Sequence, residues 1–373
     1  PGDPATQGQV VRVTAEGAGG LEGIRRWSYD GRELPVDAAE LVAPEITTRD
    51  VDRGDAPHYL LKEVSEAPAS FRKTLRAKIL DGPDGPEVAL PPPVAVEASA
   101  ATELSGFGLG SDMSDALVVA ISQSGTTTDT NRTVDLVRSR GAAVIAILNR
   151  RQSDLADKAD GVLHTSDGRD VEMSVASTKA FYAQVAAGFL LAFAVAAELG
   201  ADDESARTHR RTRLEALRAL PAAMETVLGR REAIALVARR NVLSRRSWAV
   251  VGSGPNRIAA QELRIKCSEL CYTSIACDVT EDKKHIDLSS EPMVIVCAAG
   301  LRGSNADDVA KEIAIYRAHK AAPVAIVDEG EVRFSAAADI IPVPAVHPDL
   351  AFVLCAMAGH LFGYEAALAF DAT

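Results

Sequence analysis

Twice along this chain a short apolar run rich in β-branched residues breaks into a glycine-bearing turn and then into a helical pattern. In the first instance, ALVVAISQSGTTTDT, residues Ala116 to Ile121 have the length and composition of a buried parallel strand. Thr130 to Arg140 follows as a helix with Val134, Leu136 and Val137 apolar. Ser122, Gln123, Ser124, Gly125, Thr126 and Thr127 thus fall between the carboxyl end of a strand and the start of a helix. Unpaired backbone N–H groups and the helix dipole favour an anion there, so hydroxyl residues beside a close-approaching glycine make a phosphate cradle that needs no lysine. The same residues are also ordinary turn and cap chemistry, and composition weighs the two readings about equally.

The alternation continues with strands at Ala142 to Leu148 and Gly161 to Thr165 and a helix at Ser153 to Ala159. The loop Ser166 to Ser174 then feeds a helix, Val175 to Leu199, apolar nearly all round and so expected between domains or subunits. Ala201 to Arg246 is charged, helical and free of strand signal, and separates a second alternating unit. There Ser247 to Val251, Ile275 to Val279, Met293 to Ala298 and Pro323 to Val327 read as strands, and Asn256 to Tyr272, Asn305 to His319 and Leu350 to Phe370 as helices. This order predicts an α/β protein of two duplicated units, each a doubly wound parallel sheet with helices on both faces. Gly252, Ser253 and Gly254 lack the third glycine of a dinucleotide fingerprint.

Ahead of these units, Gln9 to Thr14 and Ile24 to Tyr29 read as strands around the glycine cluster Gly17 to Gly20, in a segment too irregular to be a domain alone. Pro57 to Ala77 is helical with an interruption at Pro68, Gly82 to Pro93 is a linker, and Val94 to Ala98 is a short strand. A net charge of -12 argues against nucleic acid held by its phosphates, so an anionic ligand must be bound locally. The longest uncharged apolar run, Val185 to Ala197, falls short of the roughly 20 residues of a membrane span, and no charged-then-apolar signal opens the sequence, which predicts a soluble cytoplasmic protein. The five cysteines read as core thiols; Cys267 and Cys271 share a helix face but lack further Cys or His partners for zinc.

ISQSGTTTDT (Ile121 to Thr130) and VASTKAFYAQ (Val175 to Gln184) resemble the two signatures of the sugar-isomerase (SIS) half of the glutamine:fructose-6-phosphate aminotransferases. HYLLKEVSEAP (His58 to Pro68) is similar to the segment by which that family enters its isomerase half, and the opening resembles the last strands of its glutaminase half. The resemblance implies two tandem SIS domains at 56–200 and 247–373, a helical connection at 201–246, and a glutaminase-type remnant with linker at 1–55. KCSELCY (Lys266 to Tyr272) resembles the helix carrying the isomerase base, which would be Glu269, with Lys266 beside it. His285, sixteen positions on, would open the sugar ring, and in the family this histidine is lent by the partner subunit of a homodimer. Ser122, Gln123, Ser124 and Thr127 would hold the sugar phosphate, Val175 and Ser177 the sugar hydroxyls, with Glu172 and Lys179 lining the same cleft. Without the resemblance, Lys266 and Glu269 read as a solvated i, i+3 pair and His285 as a loop histidine.

What the resemblance implies is conversion of fructose 6-phosphate to glucosamine 6-phosphate with ammonia from glutamine, using no metal and no nicotinamide cofactor. The alternative is an SIS-fold isomerase, deglycase or sensor of a sugar phosphate without amination. Three family segments do not appear in these 373 residues: a cysteine-initiated glutaminase domain, a Cys-Gly-Thr-Ser-like phosphate turn where Ala89 to Pro93 stands, and a tail bearing a Schiff-base lysine. The expectation is that they belong to a longer chain. EDKKHID (Glu281 to Asp287) also replaces the family's more usual glycine-bearing loop.

Overall fold

The computed structural model describes residues 9–17, 20–28, 30–40, 51–82, 85–88, 98–168, 170–198, 203–286 and 288–372. The strand expected at Val94 to Ala98 and the Pro-rich stretch at Ala89 to Pro93 therefore fall outside the described residues, Ala98 apart, as does part of the Gly17 to Gly20 cluster. The chain divides into two compact units, Pro1–Arg49 and Asp50–Thr373. The first holds an antiparallel sheet of β1 (Gln9–Val13), β2 (Ile24–Ser28) and β3 (Glu33–Leu34). The third strand is absent from the sequence reading because two residues carry no period.

The second unit opens on α1 (Tyr59–Leu75), which runs straight through Pro68 instead of breaking there. Proline forfeits one hydrogen bond and clashes with the preceding turn at a cost of about 3 kcal/mol. Burial of Leu60, Val64, Ala67 and Phe71 against the core offsets that. The expected linker begins as a hairpin, β4 (Ile79–Gly82) and β5 (Gly85–Val88), whose glycine and proline content hid it. After the single turn α2 (Ala101–Glu103) come β6 (Leu117–Ser122), α3 (Thr128–Arg138), β7 (Ala143–Leu148), α4 (Asp154–Lys158), β8 (Gly161–His164) and α5 (Lys179–Glu198). Strands β6, β7 and β8 pair in parallel in that order. Val134, Val137 and Leu155 of α3 and α4 pack on one face, and Ala187 and Leu191 of α5 on the other. Strand β6 is less buried than expected: Val119 and Ile121 alternate onto an exposed face, and among the described residues β6 pairs only with β7.

Helices α6 (Glu204–Gly229) and α7 (Arg231–Asn241) lead to β9 (Trp248–Gly252), α8 (Asn256–Cys271), β10 (Ile275–Asp278), β11 (Met293–Cys297), α9 (Gly303–Ala318), β12 (Ala322–Asp328), β13 (Asp339–Val343) and α10 (Ala351–Asp371). These five strands form one parallel sheet ordered β10-β9-β11-β12-β13. Helix α9 covers one face through Val309, Ile313 and Tyr316, and α8 and α10 lie in the core on the other. Strand β13 escapes the sequence reading because of Pro342, which an edge strand tolerates.

Helix α10 is buried along almost its whole length and packs on α1, α6, α7 and α8. Gly359 makes this possible: a Cβ there would stand 2.1 Å from Leu263 of α8. Two helices, Lys179–Ala197 and Pro348–Asp371, are long and apolar enough to cross a membrane, contrary to the expectation drawn from the shorter run Val185 to Ala197. The second has 94% of its most apolar window inside the fold, which marks a core helix, and the first 44%. Cys267, Cys297 and Cys355 are buried and all five thiols are free; burial pushes even the half-exposed Cys271 thiol up to about 12.

Candidate active site

The turn after β6 is shaped by its own hydroxyls. Ser122 Oγ accepts from Gly125 N at 3.1 Å and lies 3.5 Å from Thr127 Oγ1, while Ser124 Oγ accepts from Thr126 N at 3.2 Å and from Thr126 Oγ1 at 2.9 Å. Gly125 has φ +69°, and a Cβ there would stand 2.2 Å from Ser153 Oγ, so no other residue fits. Thr127 is the N-cap of α3 and makes no side-chain cap bond, which leaves the first N–H groups of that helix for another acceptor. Ser122 is buried, Gln123 and Ser124 half-buried, and Thr127 exposed.

Asn149, at the end of β7, ties this turn to a second loop. Its backbone N–H donates to Gln123 O at 3.3 Å and its side-chain amide donates to Asp170 O. In that second loop Glu172 accepts the Ser177 hydroxyl at 2.8 Å and the Thr178 backbone N–H. These bonds hold residues 175–178 in a bend, so α5 begins at Lys179 and not at Val175. Val175 is 98% exposed at the tip. Lys179 is buried and donates to Glu66 at 2.7 Å, so it anchors the loop to α1 and does not line an open cleft.

Glu63, also on α1 and almost wholly buried, accepts from Met173 N at 2.6 Å and Ser174 N at 3.1 Å. Burial pushes its carboxyl above the ordinary glutamate range, and the two N–H donors offset only part of this. A raised pKa favours the protonated form in the folded state, so the stability it confers is full below about pH 4 and declines as pH rises through the folded value. Glu63→Gln, which keeps an acceptor and removes the charge, should therefore raise Tm by roughly 1–3 °C at pH 7.5 and leave it unchanged at pH 4. Thermal denaturation followed by circular dichroism at both pH values checks this.

Lys266 and Glu269 lie on α8, with Lys266 buried and Glu269 44% exposed. Lys266 Nζ donates to Glu269 Oε2 at 3.3 Å and stands 3.7 Å from Glu262 Oε1. Glu262 in turn lies 3.0 Å from His360 Nε2 on α10, and His360 Nδ1 lies 2.6 Å from the Tyr182 hydroxyl on α5. Burial pushes the Tyr182 phenol up, with the charges of both Glu262 and Glu172 adding to this. Tyr182, which follows the Glu172 loop, is thus linked through His360 to Glu262 of α8. Glu262, His360, Tyr182 and Glu63 escaped the sequence reading. Glu262, four before Lys266 and seven before Glu269 on one helix face, was open to detection by spacing, as was His360, set in the apolar run Phe352 to Phe362.

His285 sits elsewhere. It is exposed in the 3-10 turn Asp282–His285 that follows the carboxyl end of β10, beside Lys284, which pairs with Glu312 at 2.7 Å and Glu281 at 3.6 Å. Helix α8 starts after the carboxyl end of β9 and runs back, so Glu269, thirteen residues in, lies about 20 Å down the helix toward the amino ends of the strands. The structure brings Glu269 and Lys266 together and does not bring His285 of the same chain to them.

The SIS domain family matches residues 94–194. The isomerizing glutamine–fructose-6-phosphate aminotransferase of Thermus thermophilus is 29% identical, over 97% of this chain and 63% of its own length. Its counterpart in Mycolicibacterium smegmatis is 34% identical over 62% of this chain and 37% of its own. The chain thus spans under two thirds of these relatives. The solved C-terminal domain of glucosamine-fructose-6-phosphate aminotransferase from Francisella tularensis superimposes with a TM-score of 0.75 at 21% identity, over 86% of this chain and 98% of that one. The chain carries an SIS domain and, along nearly its whole length, is similar to the isomerizing glutamine–fructose-6-phosphate aminotransferases.

Proposed function

We propose that this chain is the sugar-isomerising part of a soluble cytoplasmic aminotransferase that converts fructose 6-phosphate to glucosamine 6-phosphate with ammonia supplied by glutamine hydrolysis. The supporting observation is the convergence of the uncapped α3 turn and the Glu172 loop, joined by Asn149, with an ion-paired carboxylate of α8 linked to α5. In this reading Ser122, Gln123, Ser124 and Thr127 hold the phosphate, Val175, Ser177 and Glu172 meet the sugar hydroxyls, and residues 56–200 and 247–373 are the two SIS domains.

Glu269 moves the proton between C1 and C2 of the open-chain sugar. Lys266, fixed beside it, supplies positive charge where the enediolate develops. His285 of a second copy opens the sugar ring, which makes the working unit a homodimer. The discriminating experiment incubates the full-length protein, with any upstream domain and tail included, with fructose 6-phosphate in deuterated water, with and without ammonia, and follows C1 deuteration and glucosamine 6-phosphate by NMR. Deuteration together with amine formation is expected; deuteration without amine would point to a plain isomerase, and neither would remove the reading. In parallel, calorimetry should show Ser124→Ala binding fructose 6-phosphate roughly 10- to 150-fold more weakly, the range for one lost donor to a charged group.

A further inference from the structure

His360 is fully buried in the middle of α10, a mostly apolar helix whose other buried charged residue, Glu365, is paired with Arg231. A buried imidazole is tolerated when both ring nitrogens are bonded, and here both are: Nδ1 to the Tyr182 hydroxyl at 2.6 Å and Nε2 to Glu262 Oε1 at 3.0 Å. The Tyr182 phenol is itself fully buried and holds its proton tightly, so it donates to Nδ1. With Nδ1 accepting from the phenol, the ring N–H is on Nε2 and is donated to Glu262. The same Glu262 oxygen also faces the Lys266 ammonium at 3.7 Å, while Lys266 reaches Glu269 at the shorter distance of 3.3 Å.

The ammonium is therefore shared between two carboxylates and leans toward the more exposed one. The Nε2–H of His360 makes this lean possible, because it satisfies part of Glu262's demand for a donor. Without it, the ammonium would be the remaining partner of a half-buried carboxylate and would be drawn back from Glu269. The titratable groups facing His360 are Tyr182 from α5 and Glu262 from α8, with Lys266 behind Glu262 and Glu172 acting on Tyr182. Tyr182 stands one turn into α5, directly after the loop that carries Glu172 and Ser177.

We propose that Tyr182 and His360 are positioning residues for Glu269, acting through Glu262 and Lys266, and that this buried chain of bonds ties the base to the loop that holds the sugar. The inference rests on the isomerase reading of the site. It assigns a role to two side chains that touch neither substrate nor reacting atoms.

The test uses the full chain and solvent-proton exchange into fructose 6-phosphate. His360→Leu should lower kcat roughly 10- to 100-fold, the scale of a misplaced catalytic group. KM should stay within about twofold, because the phosphate is held elsewhere. His360→Gln, whose amide reproduces the Nε2 donor, should recover most of the rate, and in a Glu262→Gln background His360→Leu should cost nothing further. Unchanged kcat, a loss confined to KM, or additive losses in the double variant would each overturn the proposal. Should His360→Leu not fold, Tyr182→Phe removes one hydroxyl and should lower kcat severalfold at constant KM. A second readout stands apart from activity: the downfield imidazole Nε2–H resonance should be present in the wild type and in Glu269→Gln, shifted in Tyr182→Phe and lost in His360→Leu. If the wild type exchanges no proton, the isomerase reading falls while this resonance still decides the linkage; its absence from the wild type refutes the relay.

Discussion

Glu269→Gln leaves the chain folded and lowers solvent-proton exchange into fructose 6-phosphate by ~10²- to 10⁴-fold, the contribution of a positioned general base. The fold is indifferent to the change because Glu269 is 44% exposed near the end of α8 and its ion-pair partner, Lys266, retains Glu262. Binding should be equally indifferent, since in the proposed reading the phosphate is held away from α8, in the turn after β6 shaped by Ser122, Gly125 and Thr127. The split between rate and affinity carries the weight of the test. Calorimetry beside the exchange assay measures it: loss of both together would make Glu269 a binding residue, and loss of neither would make it a solvated helix residue.

Mixing two inactive variants restores activity. Glu269 lies down α8 toward the amino ends of the strands of the second sheet and His285 in the turn after the carboxyl end of β10, so in the proposed reading one sugar takes them from two chains. If each site draws its histidine from a second copy, Glu269→Gln and His285→Ala homodimers are both deficient. After subunit exchange half of the dimers are mixed, and each mixed dimer holds one intact site and one doubly defective site. Activity should rise to roughly a quarter of the wild-type level, the statistical limit for a two-fold symmetric dimer. Denaturing and refolding the variants together, then assaying exchange, checks this. A mixture no more active than its components would mean that His285 serves its own chain or no chain.

Much of this site was legible because its parts are local. The strand-to-helix turn at 122–127 shows in sequence as an apolar run ending in small hydroxyls, and Lys266 with Glu269 shows as an i, i+3 pair. The alternation of strand and helix foretold both parallel sheets and their two-sided cover. What stayed hidden depends on contacts between distant residues: Tyr182 meets His360 across 178 positions and His360 meets Glu262 across 98. The start of α5 was misplaced for a related reason, since Glu172 ties up the Thr178 N–H and the Ser177 hydroxyl and bends a segment whose composition reads as helix. Pro68 shows tertiary packing overriding a local breaker, and the β4–β5 hairpin shows pairing where composition predicted a linker.

Helix α10 has a consequence for how the chain comes to be folded. It lies at residues 351–371, after every other element of the second unit, yet it fills the space among α1, α6, α7 and α8. During synthesis from the N-terminus, α1 emerges nearly three hundred residues before the helix it packs on. Until then the apolar faces of α8 and the second sheet have no cover, and the nascent second unit stays collapsed but unsealed, the state most prone to association with other chains. Closing contacts over such sequence distances is also slow. A ribosome stall between the end of α8 and residue 351 would therefore release a product with the faces that α10 covers still open, and chaperone demand should track that interval of translation.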